Sequence, residues 1–171
     1  MKARLIVMSA IAVLVMASGA VAQDRDQQLA DEISASVRTY PQFTIFDDVN
    51  GHVDGGVVVL TGKVTMPYKK YDIERRVARL DGVREMRSEI SVLPVSVFDD
   101  ELRRRISRAI YGSPSFWQYA AMANPPIHVI VENGRVTLTG VVNSNVERVL
   151  ARSLATGFGE FAVHNELRTD R

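Results

Sequence analysis

Val58-Val59-Leu60-Thr61-Gly62-Lys63-Val64 returns 78 residues later as Val136-Thr137-Leu138-Thr139-Gly140-Val141-Val142. Apolar residues alternate in both stretches: Val58, Leu60 and Val64 in one, Val136, Leu138 and Val142 in the other. A period of two marks a β-strand with one buried face. Gly62 and Gly140 fall on that face, where the absence of a side chain leaves room for another backbone or a helix to come close. Two strands with one register and one interruption make an internal repeat, and the rest of the chain reads outward from them.

A turn precedes each strand, Asp54-Gly55-Gly56 in copy one and Asn133-Gly134 in copy two, and such pairs accept the positive φ of a tight hairpin. Another strand precedes each turn, with Val49 and Val53 or with Ile127, Val129 and Val131. Helical spacing follows the glycine strand: Ile73, Val77 and Leu80 after Pro67, and Val146, Val149, Leu150 and Leu154 after Asn145. Each helix runs to a glycine, Gly82 or Gly159, and a last strand carries Met86, Ile90 and Val92 or Phe161, Val163 and Leu167. Each copy opens on an amphipathic helix, with Leu29, Ile33 and Val37 or with Leu102, Ile106 and Ile110, the second capped by Asp99 or Asp100. The fold class is therefore α+β: two tandem α-β-β-α-β modules, each a three-stranded sheet with two helices on one face. Pro94 ends the last strand of copy one and divides the chain into modules at 23–94 and 95–171, joined by a linker short enough for them to touch.

Residues 1–22 read differently. Lys2 and Arg4 precede the apolar run from Leu5 to Met16, and Ala20-Val21-Ala22 offers small residues at the cleavage positions of a secretory signal peptide. The expected location is periplasmic, with the chain at most peripheral to a membrane. Loss of Lys2 and Arg4 leaves 19 basic against 20 acidic residues, a charge near −1, where a nucleic-acid binder shows a basic excess. With no cysteine in the chain, disulfides, thiolate metal sites and cysteine nucleophiles are excluded.

The pattern Asn133-Gly134-x-Val136-x-Leu138-x-Gly140-x-Val142, a helix with small Ala151 and Ala155, then Gly159 and Val163-x-Asn165-x-Leu167 resembles the BON domain, named for bacterial osmotically induced and nodulation proteins. Copy one matches through Val58 to Val64, Gly82-Val83 and Ile90, and departs at Ser88, where asparagine is frequent, and at Ile73, where a small residue is usual. The resemblance implies a non-enzymatic envelope module that binds phospholipid surfaces or envelope proteins, in osmotic or envelope stress. It carries over no catalytic residue, and Gly62 and Gly140 carry a structural role only.

The residues themselves offer little chemistry. His52, His128 and His164 are scattered without ligand spacing. Asp47, Asp48 and Asp54 lack a calcium-loop pattern and read as exposed strand-edge acids. No nucleophile elbow surrounds Ser113 or Ser115, and no phosphate loop follows Gly55-Gly56. No metal, cofactor, small-molecule substrate or nucleic acid is expected. One segment exceeds the module's needs: residues 111–126, inserted between the first helix and first strand of copy two, hold the only tryptophan. Tyr111, Phe116, Trp117 and Tyr119 there follow a helix bearing Arg104 and Arg108, and these six residues form the candidate binding surface for an anionic membrane or a protein partner. The competing reading packs the aromatics into the core. A soluble periplasmic holdase, recognised by apolar surface without a basic rim, is the alternative function.

Overall fold

The computed structural model describes residues 23–170. Residues 1–22, whose sequence reads as a signal peptide, lie outside them. Helix α1 (23–38) leads into β1 (Asp48–Asp54), β2 (Val57–Val64), α2 (Pro67–Val77) and β3 (Glu85–Val92). The second half repeats the order in α3 (Val97–Tyr111), β4 (Ile127–Glu132), β5 (Arg135–Val142), α5 (Asn145–Leu154), β6 (Ala162–Asn165) and β7 (Arg168–Thr169), with a 3-10 turn (Pro114–Phe116) and the short α4 (Trp117–Ala120) inserted after α3. In each module the first two strands pair antiparallel and the third joins the second in parallel across a helical connection. The first sheet has three strands; the second gains a fourth, since β7 also pairs with β5.

Both helices of a module pack on one sheet face. Leu29, Ile33 and Val37 from α1 and Ile73 and Val77 from α2 share a core with Val58, Leu60 and Val64, the alternating side of β2. Leu102, Ile106 and Ile110 from α3 and Ala151 from α5 do the same with Val136, Leu138 and Val142. Gly62 and Gly140 occupy equivalent places, opposite Val49 and Ile127 on the neighbouring strand. Their φ values are +129° and +113°, and a Cβ would collide with the carbonyl oxygen of Asp48 or Pro126. The close approach is thus made by the neighbouring strand's backbone, which only glycine permits.

The hairpin turns are clamped alike. Asp26 accepts hydrogen bonds from the amides of Gly55 (2.7 Å) and Gly56 (3.1 Å), and Asp99 from those of Asn133 (2.8 Å) and Gly134 (2.8 Å). Asp99 is therefore not the cap of α3. That role falls to Ser96, whose hydroxyl accepts from the Asp99 amide at 3.2 Å. The last strands differ because of one residue. Asn165 donates to the Arg148 carbonyl (2.7 Å) and accepts from the Leu167 amide (3.3 Å), breaking the strand into β6 and β7. Ser88 stands at the matching register, opposite Leu60 as Asn165 stands opposite Leu138. It is too short for either bond, its hydroxyl is unpartnered, and β3 runs unbroken. Shortening Asn165 to alanine removes both bonds; we expect a loss of about 1–3 kcal/mol in denaturant melts.

Asp47 is buried rather than an exposed strand-edge acid. One carboxylate oxygen accepts from the Thr65 amide (2.7 Å) and hydroxyl (2.8 Å), the other from the Thr44 amide (2.9 Å), the Thr44 hydroxyl (2.7 Å) and Lys69 Nζ (2.6 Å). Burial pushes this carboxyl up, but the bonds from Lys69, Thr65 and Thr44 outweigh it and hold it below its ordinary value. The segment so anchored joins the modules. Ile45 O accepts from the Val129 amide (2.7 Å), Asp47 O meets His128 Nδ1 (2.6 Å), Phe43 and His128 rings lie 5.5 Å apart, and Lys63 pairs with Glu132. Residues 45–47 thereby cover the outer edge of β4, an end strand of the second sheet.

Candidate functional site

Helix α3 divides its arginines by face. Leu102, Ile106 and Ile110 point inward at every fourth position, and Arg103 goes in with them. Its guanidinium pairs with Asp100 and donates to the Val131 carbonyl at 2.5 Å, which makes it a bolt between α3 and β4. Arg105 lies over the Phe158 ring, 5.2 Å from its centroid. Arg104 and Arg108 remain exposed, one turn apart, Arg104 with a solvent-facing partner in Glu101 at 3.2 Å.

The inserted aromatics split as well. Phe116 is fully buried and stacks on Tyr119 with ring centroids 6.0 Å apart. Tyr119, buried too, donates to Glu147 (2.6 Å) and accepts from the Asn143 amide (3.0 Å). Burial and the bond to Glu147 raise its phenol above the ordinary value. Glu147 and Asn143 stand 78 residues beyond Lys69 and Thr65, so Tyr119 does for module 2 what Asp47 does for module 1. Tyr111 is half-buried; its hydroxyl donates to Ile127 O (2.5 Å) and accepts from Ile127 N (3.1 Å), and burial pushes its phenol up. Of the six candidate residues, Arg104, Arg108 and Trp117 face solvent, with Trp117 71% exposed, while Phe116 and Tyr119 belong to the core and Tyr111 pins the start of β4.

Helix α5 keeps Leu150 and Leu154 of its expected face against the core but not Val146 and Val149. Ala151 and Ala155 are fully buried, whereas Val146 is 75% and Val149 63% exposed. The helix presses its small residues on the sheet, which lets its backbone approach and turns two valines outward. The signal in the sequence was the Ala151–Ala155 spacing, which outranks the larger side chains. A second exposed apolar group sits at the hairpin turn of module 2. A Cβ on Gly134 would touch both Phe161 and Phe98, which are 76% and 49% exposed, and Phe98 follows Val95 and Val97, 97% and 83% exposed, in the chain.

Among the described residues, no three His, Asp or Glu side chains gather in a metal-binding arrangement, and no helix is long and apolar enough to cross a membrane. Known structures similar to this chain include the C-terminal domain of CdsD, a structural protein of the type III secretion system of Chlamydia trachomatis. The identity is 15% and the TM-score 0.35, over 85% of this chain and 67% of that one. A second CdsD structure is similar at 16% identity and a TM-score of 0.34, over 84% of this chain and 63% of that one. Comparison with curated proteins finds no match. The family model for the BON domain matches twice, over residues 25–94 and 98–171, the two halves that share one strand register, one glycine position and one turn clamp, and the chain belongs to the BON domain family as a tandem pair.

Proposed function

We propose that the protein is a non-catalytic module of the cell envelope that attaches peripherally to anionic phospholipid surfaces through the outer side of α3 and the start of α4. Trp117 carries this reading. Phe116 and Tyr119 beside it are committed to the core, yet it stands 71% exposed at the start of α4, six residues after the helix that exposes Arg104 and Arg108. An indole at headgroup depth beside cations that meet phosphates is the chemistry of an interfacial anchor. The family supports a binding role over an enzymatic one.

Vesicle flotation tests it. The wild type is expected to float with vesicles containing anionic lipid and not with purely zwitterionic ones, less so as salt rises. Arg104→Gln and Arg108→Gln are each expected to weaken partition about fivefold, the equivalent of about 1 kcal/mol per basic residue. Trp117→Ala is expected to lower binding further while leaving the melting temperature in place, since little of the side chain is buried. Unchanged flotation of the Trp117→Ala variant would refute the reading.

The exposed group Val95, Val97, Phe98 and Phe161 favours a second reading, a periplasmic holdase that receives unfolded chains on apolar surface. Suppression of aggregation of a thermally unfolded client, lost in the Phe98→Ser/Phe161→Ser double variant, is its expected result.

A further inference from the structure

The cleft between α5 and β6 is lined by Arg148, Val149, Arg152, Val163, His164 and Asn165, with no carboxylate among them. The other module serves as its internal control. The 78-residue register places Lys70 and Glu74 where Arg148 and Arg152 stand, and there the two form an ion pair at 3.9 Å across one helical turn. On the strand beside them, Arg87 is paired with Glu85 at 2.9 Å. Module 1 is thus neutralised at this place. Module 2 carries like charges four residues apart, which work against a helix. Among the described residues, the side chains of Arg152 and His164 have no hydrogen-bond or ion-pair partner, and Arg148 has only the amide oxygen of Asn145, at 3.0 Å.

The cleft also runs beside an open sheet edge. β6 ends the order β4-β5-β6, so half of its peptide groups point away from β5, whereas the opposite edge at β4 is covered by residues 45–47. We infer that the α5–β6 cleft of module 2 is a docking site for an extended acidic segment of a partner protein, which adds a strand along β6 and sets its carboxylates against Arg148 and Arg152 on the helix-covered face. Main-chain bonds to the edge supply attachment, and the paired guanidinium groups select for acidic side chains. The inference does not depend on lipid binding, whose residues lie on α3 and α4.

The test is an NMR titration of the full chain with two short capped peptides, one alternating glutamate with valine and threonine, the other lysine with valine and threonine. The glutamate peptide is expected to shift the amides of 162–165 and the side-chain Nε–H signals of Arg148 and Arg152, and to bind about tenfold more tightly than the lysine peptide. Arg148→Glu/Arg152→Glu is expected to reverse that preference. Arg148→Gln/Arg152→Gln, which creates no new charge, is expected to abolish it with the fold intact by circular dichroism. A glutamate peptide interrupted by proline, which lacks the amide a strand must donate, is expected to lose binding. Equal affinity for the two peptides, or equal binding of the proline version, overturns the proposal. So do anionic vesicles that shift these same signals when the glutamate peptide does not, since the site would then recognise lipid.

Discussion

Replacing Asp47 with alanine is expected to destabilise module 1 by about 3–5 kcal/mol, because it strands a buried cation and leaves the Thr44 and Thr65 donors without their acceptor. Lys69→Met is expected to cost clearly less. The carboxylate it leaves behind keeps its four bonds from Thr44 and Thr65. Chemical denaturation of both variants checks the order. The pH dependence follows from the same geometry. The folded carboxyl sits below its unfolded value, so its contribution is full above the unfolded value, near pH 4, and is lost as pH falls through the folded one. The gap between wild type and Asp47→Ala is therefore expected to narrow in acid. A second readout is hydrogen exchange at Val129, whose amide is held by Ile45 two residues from Asp47, and which is expected to speed up in the alanine variant.

Gly140→Val is expected to cost about 3 kcal/mol or more. Two effects add at one atom. The φ of +113° is one a β-branched residue adopts only under strain, and the new Cβ would run into the Pro126 carbonyl. The neighbouring Thr139→Val is the control. The Thr139 hydroxyl is buried with no hydrogen-bond partner, so a methyl of the same shape is expected to be neutral or slightly stabilising. Parallel melts of the two variants separate a requirement for glycine from general sensitivity of β5. Equal melting temperatures would mean that the strands can part at Gly140 without loss.

These two sites show where the sequence was legible. The glycine strand announced itself because period two and a missing side chain are local patterns, and the repeat supplied a second copy to align. Asp47 was hidden because nothing near it signals burial; its main charge partner lies 22 residues on, across two strands and a turn. On α5 hydrophobic spacing finds Leu150 and Leu154 but also weighs Val146 and Val149 above Ala151, although close packing on a sheet selects the smallest side chain. The insertion has no period at all. Only the tertiary fold sorts its aromatics, Phe116 and Tyr119 to the core and Trp117 to the surface.

The cover that residues 45–47 lay over β4 makes the order of the two halves matter. Module 1 comes first in the chain and emerges first, whether from the ribosome or from a translocation channel, so its guard precedes β4. The emerging strand then meets a partner from its own chain before it meets a neighbour's, which protects it from edge-to-edge association before β5 and α5 have followed. A chain with its halves exchanged would bring out β4 before its guard and lose that protection. The duplicated modules are for this reason not interchangeable, even though they share one strand order and register.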